Sequence, residues 1–154
     1  MTHPIDTKLA ELDISLPDPP APAANYVPYV LDGKTLYVSG QLPLGPEGLI
    51  TGKLGKDLSV DEGAAAARAC AISLIAQVKK ACGGDFGTFD CALKLTAFVN
   101  SAPDFTDQPK VVNGASDLLG AILGTAGRHA RSAVGVAALP FDVAVEIEAV
   151  FRLK

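Results

Sequence analysis

Apolar positions along the first segment of the chain fall at partly helical spacing. Ile5, Leu9, Leu12 and Ile14 recur over residues 5–14, which predicts a short helix. The run Pro17-Asp18-Pro19-Pro20-Ala21-Pro22 then ends regular structure, because each proline fixes φ and removes a backbone donor, and it predicts an extended connector. Residues 27–31 and 35–40 are β-prone and flank Asp32-Gly33, whose residues tolerate the positive φ angles of a tight turn. Two antiparallel strands joined as a hairpin follow from that pattern.

Residues 42–58 are broken by Pro43, Gly45, Pro46, Gly48, Gly52 and Gly55 and predict a loop, with a short strand near 49–51. Ser59-Val60-Asp61-Glu62 reads as a capping box, in which the Ser hydroxyl serves the backbone N–H three residues on and Glu62 reaches back to the cap. Behind it Ala64, Ala67, Ala71, Leu74, Ile75, Val78 and Cys82 keep helical spacing up to Gly83-Gly84, the stop signal. Residues 89–99 alternate as a strand. A second helix is expected over 105–123, with Pro109 confined to its first turn. Two strands end the chain, 132–138 and 143–153, joined through Leu139-Pro140-Phe141-Asp142. In the last strand Val143, Val145, Ile147, Ala149 and Phe151 share one face, while Glu146 and Glu148 occupy the other.

The order ββ-α-β-α-ββ predicts an α+β fold in which two long helices cover one face of a single mixed sheet. Val136, Ala138, Ala144 and Val150 put small or apolar side chains on these strands, so the opposite face is expected against another subunit rather than water. A length of 154 residues suits one domain. The division expected within it is an N-terminal helix and Pro-rich connector over 1–20 and the main domain over 21–154. The 49% hydrophobic content and the mean hydropathy of +0.29 reinforce the expectation of subunit contact.

Charge and motifs narrow the chemistry. Thirteen basic against 17 acidic residues, a net charge of -4 and the absence of a basic run argue against a nucleic-acid partner. The cysteines, Cys70, Cys82 and Cys91, show neither disulfide nor zinc spacing and read as buried, reduced thiols. The longest uncharged apolar run, 69–78, is too short to span a bilayer, and the first residues hold no apolar leader core. A cytoplasmic protein without a membrane partner is therefore expected. Nucleophile-elbow, phosphate-loop and metalloprotease signatures are absent, and no metal-ligand cluster stands out. His3 reads as a solvent-exposed terminal residue; His129 could contact a ligand, but a lone His before a strand is more often a loop residue.

One stretch remains: Arg128-His129-Ala130-Arg131-Ser132-Ala133-Val134-Gly135-Val136-Ala137-Ala138-Leu139-Pro140, followed by Val145-Glu146-Ile147-Glu148-Ala149. In content and spacing it resembles the RidA/YjgF family (reactive intermediate deaminases, also called endoribonuclease L-PSP), whose C-terminal signature is an Ala-Arg-Ser strand start, a Leu-Pro turn and a Val-Glu-Ile-Glu-Ala strand. Pro28-Tyr29-Val30, Val38-Ser39-Gly40-Gln41-Leu42-Pro43, Phe98-Val99 and Val112-Asn113-Gly114 extend the resemblance over most of the chain from about residue 21 onward. The N-terminal helix lies outside the shorter members, which marks a divergent, longer subgroup.

The resemblance implies a chorismate-mutase-like fold, a homotrimer with clefts between subunits, and hydrolysis of reactive enamines or imines to 2-oxo acids and ammonia. No cofactor is implied. Carried over position by position, Arg131 would clamp the carboxylate of a small-molecule substrate, a task suited to a planar guanidinium with paired donors. Glu146 would hold the attacking water with help from the main-chain carbonyl of Ala133. Tyr29 and Ser39 match positions lining the pocket, and Asn113 matches a retained Asn beside it. Ala133 stands where the family often has Cys, so thiol chemistry is excluded there while the carbonyl survives. Two alternatives stay open: a non-catalytic trimer that binds small carboxylates such as 2-oxo acids, and the endoribonuclease or translation-inhibitor activity that some members' labels carry, against which the acidic charge counts.

Overall fold

A computed structural model describes residues 2–19, 21 and 24–154. Met1 and Ala23 lie outside the described residues, as do Pro20 and Pro22 of the expected Pro-rich connector. Helix α1 (Pro4–Glu11) is capped by the His3 ring, whose Nδ1 accepts from the Ile5 N–H at 3.2 Å. His3 is thus a half-buried cap, tilted against Phe86, rather than a free terminal side chain. Ile5 and Leu9 on one face of α1 enter the core, and Asp6 pairs with Lys79 at 2.8 Å.

The sheet is built from β1 (Tyr29–Asp32), β2 (Thr35–Gln41), β5 (Phe89–Asn100), β6 (Ala130–Val136) and β7 (Val145–Leu153), in the spatial order β1-β2-β7-β5-β6. Only β5 and β6 run parallel; the other pairs are antiparallel. A small hairpin of β3 (Leu44–Gly45) and β4 (Gly48–Leu49) stands apart. The long helices α2 (Val60–Ala81) and α3 (Gln108–Leu123) lie side by side across one face of the sheet. This is the α+β, mixed-sheet arrangement that the order of elements predicts.

The capping box is formed: Ser59 Oγ accepts from Glu62 N–H at 3.2 Å, and Glu62 returns a carboxylate oxygen to Ser59 N–H at 2.7 Å. Those bonds hold the Glu62 carboxyl below its usual pKa, the backbone bond contributing most. The two helices meet closely because Gly114 lacks a side chain; a Cβ there would lie 2.0 Å from the Ala64 carbonyl oxygen. Between helices and sheet sit Leu36, Leu74, Ile75, Leu95, Leu119, Ile147 and Phe151, all sealed from solvent. Full burial of each such side chain contributes roughly 1.5–3 kcal/mol.

Element ends differ from the pattern in ways that neighbouring hydrogen bonds explain. Helix α3 begins at Gln108 rather than 105, because Phe105 N–H is spent on a turn to the Ala102 carbonyl and Pro109 fits only the first helical turn. Strand β7 begins at Val145 because Val143 and Ala144 instead pair with the loop at Ile50 and Thr51. Between them the turn at Pro140–Asp142 holds Phe141 and Asp142 at φ 57° and 56°, a left-handed pair uncommon for such residues. Buried Asn100 braces it, donating to Asp142 Oδ1 at 2.9 Å and to the Gly52 carbonyl, while accepting from Lys53 Nζ at 2.7 Å.

Candidate functional site

Strand register decides which face each predicted residue reaches, since side chains alternate along a strand. On β7, Val145, Ile147, Ala149 and Phe151 point under the helices and are buried, so Glu146 and Glu148 point to the open face. Glu146 opposes Phe98 of β5, and beyond it Val134 of β6 lies in the same row. Arg131 opposes Leu95, a core residue. Its side chain therefore leaves β6 on the helix side. One chain thus carries Arg131 and Glu146 on opposite faces of its sheet.

Glu146 is half-buried against the end of β2. The register of β2 on β7 slips between Val38 and Gln41, and within that irregular stretch Gly40 offers bare backbone to the carboxylate. A Cβ on Gly40 would stand 2.1 Å from Glu146 Oε1, so no other residue fits here with Glu146 in place. Burial pushes the Glu146 carboxyl above its ordinary pKa, and the like charge of Glu148 adds to the effect. Behind the strand, burial and secondarily Glu146 also raise the Cys70 thiol, which contacts the Val145 carbonyl. Cys70 is inert as a nucleophile. Ser39 lies beside Gly40, its hydroxyl donating to the Val27 carbonyl at 2.7 Å and its N–H to the Pro28 carbonyl.

On the other side of the sheet, Arg131 spends two of its N–H groups on helix α3: Nη1 donates to Ser116 Oγ at 3.0 Å and Nη2 to the Pro109 carbonyl at 3.1 Å. A guanidinium has five such donors. Ion pairs among the described residues join Lys8 to Glu11, Lys79 to Asp6, Lys110 to Asp107 and Arg152 to Asp90, leaving Arg131 with no carboxylate. His129 extends the network, with Nδ1 2.6 Å from the Gly127 carbonyl and Nε2 3.0 Å from Ser116 Oγ. A carbonyl only accepts, so Nδ1 holds the proton; in the neutral ring Nε2 then accepts the Ser116 hydroxyl, freeing the Ser oxygen for Arg131. These residues line an open groove of about 510 Å³ together with Gly120 and Arg128.

Asn113 is exposed on α3 between Pro109 and Ser116, four residues after one and three before the other, and so shares the helical face Arg131 touches. Ala133 is half-buried on the same side of β6 as Arg131. The Val136 carbonyl accepts from Ser101 N–H, toward β5. Alternation then turns the N–H and C=O of Arg131, Ala133 and Gly135 to the unpaired outer edge of the sheet. Tyr29 pairs with Val38 and packs half-buried toward the core, on the face away from Glu146. Five of the six predicted residues therefore fall into two groups, Arg131 with Asn113 and Ala133 at the β6 edge, and Glu146 with Ser39 at the β2–β7 junction, while Tyr29 joins neither.

Sequence patterning does not point to Ser116 or Gly40 as parts of these groups, and it ranks His129 as a loop residue ahead of a ligand contact. Gly40 was within reach as the centre of the Ser-Gly-Gln triplet. Ser116 and His129 meet only through the packing of α3 on β6. Among the described residues no group of three or more His, Cys, Asp or Glu is placed to hold a metal ion, and no helix is long and apolar enough to cross a membrane.

The sequence model of a family described as "YjgF/chorismate mutase-like, putative endoribonuclease" matches residues 6–150. The Trypanosoma cruzi protein TCP17 is 51% identical over 152 residues, covering 97% of this chain and 94% of its own. The crystal structure of Atu1372 from Agrobacterium tumefaciens, of unknown function, is similar with a TM-score of 0.91 and 45% identity, covering 98% of this chain and 93% of that one. Escherichia coli TdcF with bound serine is similar at a TM-score of 0.61 and 29% identity, over 88% of this chain and 93% of that one.

Proposed function

Since the chain belongs to the RidA/YjgF family of YjgF/chorismate mutase-like proteins, we propose that it hydrolyses reactive 2-imino acids to 2-oxo acids and ammonia in clefts between copies of itself. The observation that carries this is Arg131, a half-buried guanidinium held in place by Ser116 and the Pro109 carbonyl, with unspent donors and no carboxylate partner among the described residues. A planar cation so positioned takes a carboxylate by paired hydrogen bonds. The serine bound by TdcF is a ligand of that kind in a relative.

Glu146 is the proton acceptor. Its raised pKa brings a carboxylate toward the range in which a general base works near neutrality. Water held by Glu146, with the edge carbonyl of Ala133, adds through oxygen to the protonated imine carbon. The carbon–oxygen bond forms as the C=N pair moves onto nitrogen, and Glu146 takes the water proton. Glu146 returns that proton to nitrogen and then takes the remaining hydroxyl proton as the oxygen's electrons form C=O and the C–N bond breaks, releasing ammonia and leaving the 2-oxo acid. Every step is a proton transfer, an addition to carbon or the loss of ammonia from it.

Arg131 and Glu146 lie on opposite faces of one sheet, so a single chain does not offer both to one small substrate. A second copy does, if the outer edge of its β6 approaches the open face of the first beside Gly40 and Glu146. The unpaired edge of β6 and the apolar open face, with Val30, Tyr37 and Val134 exposed, favour that association, as a closed homotrimer. In this arrangement the protein works in the cytoplasm, where pyridoxal-phosphate enzymes release such imines. Ammonia release from imines generated in place by an amino-acid oxidase tests the proposal: acceleration by the wild type that Arg131→Ala abolishes is expected. No acceleration with any imine, alongside measurable 2-oxo-acid binding, would replace it with a binding-only assembly.

A further inference from the structure

A cavity of about 330 Å³ adjoins the Glu146–Ser39 group, with Ser39 and Gly40 on its wall, and lies between residues 17, 19, 21, 26 and 28, the end of β2 and the middle of α2. Pro17, Pro19 and Pro28 form its roof, Leu42, Leu44 and Leu49 one side, and Ser73, Ala76 and Gln77 of α2 its floor. Its size is at the lower end of small-molecule pockets, roughly 300–1,000 Å³. No charged side chain lines it.

Its polar point is Gln77. This side chain is 2% exposed, and its Oε1 has no hydrogen-bond partner. Its Nε2 reaches Gln41 Oε1, also on the wall, at a long 3.5 Å. Exchanging oxygen and nitrogen in Gln77 does not help, because it would set the Gln77 oxygen against Gln41 Oε1, and Gln41 keeps its own nitrogen on the Ser39 carbonyl at 2.9 Å. A buried acceptor without a donor is a standing cost to the fold, which a bound N–H or O–H offsets.

We propose that this cavity is a second binding site, for an uncharged, largely apolar small molecule carrying one hydrogen-bond donor that it gives to the Gln77–Gln41 amide pair. The apolar wall excludes carboxylates and ammonium groups, which would be desolvated there without a counter-charge. The site is therefore orthogonal to Arg131: it selects neutral molecules, and Arg131 selects anions.

Indole, with one N–H, and indene, the same shape without it, are the probes. Titration of the isotope-labelled full chain is followed by NMR on the side-chain amides of Gln77 and Gln41. Indole is expected to shift both amides and to bind at least tenfold more tightly than indene, unchanged in Arg131→Ala and lost in Ser73→Phe, which fills a half-buried part of the floor. Gln77→Leu should erase the preference for indole while keeping indene binding. Equal affinity for the two probes, shifts elsewhere in the chain, or no binding of either would overturn the site.

Discussion

The two faces of the sheet are made from the same strands and differ sharply. Under α2 and α3, Leu36, Ile147 and Phe151 are fully buried and close-packed. On the other face, Tyr37 of β2 remains 50% and Val134 of β6 44% exposed. Large apolar side chains exposed on one face of a sheet mark a candidate contact surface. Glu146, half-buried with a raised pKa and in register with Phe98 and Val134, places the proposed base on this exposed face. Arg131 lies with the covered side, so completion of the open face and completion of the site are proposed to be one event.

The largest expected effect is on the open face. Glu146→Gln keeps the shape beside Gly40 and removes the base, and imine turnover should fall by about 10²–10⁴-fold, with 2-oxo-acid binding retained by calorimetry. Unchanged turnover would take Glu146 out of the chemistry. On the covered face, Phe151→Ala should cost about 3–5 kcal/mol of stability by urea unfolding, because it leaves a cavity between β7 and the helices.

Val134→Lys makes the complementary test. It should leave the circular dichroism of the fold intact while light scattering reports a smaller particle, since the charge meets another copy rather than a core. A particle of wild-type mass would mean that the open face is solvated in the working protein.

The smallest effect is electrostatic. Burial first and Glu148 second raise the Glu146 pKa, so Glu148→Gln should lower it part of the way and move the acid limb of kcat/KM to lower pH. The linkage has a definite sign. A carboxyl whose folded pKa exceeds its unfolded value binds more protons when folded; its contribution is greatest below the unfolded pKa and is lost as pH rises through the folded one. Glu148→Gln should therefore weaken the fall in stability with pH across that window.

Local signals made much of this molecule readable. Ser59-Val60-Asp61-Glu62 marks the start of α2 because a capping box is satisfied within four residues, and the alternation of β7 assigns Glu146 to the uncovered face. The separation of Arg131 from Glu146 was not readable, since it depends on the register of β6 on β5 and of β5 on β7, three strands distant in sequence. The same holds for Gln77 and Gln41, which meet across 36 positions. Terminal helix α1 was legible as a helix, but its role in carrying Ile5, Leu9 and Asp6 onto the core needed the packing to be seen.

Co-assembly of two inactive chains tests the central claim most directly. Arg131→Ala and Glu146→Ala subunits are unfolded, mixed in equal amounts, refolded together and assayed for imine hydrolysis against each refolded alone. If each cleft takes Arg131 from one copy and Glu146 from another, random mixing restores about a quarter of wild-type turnover, because that share of interfaces pairs two intact residues. If both residues of a cleft come from one chain, every cleft keeps a defect, and a mixture as inactive as its components would contradict the account.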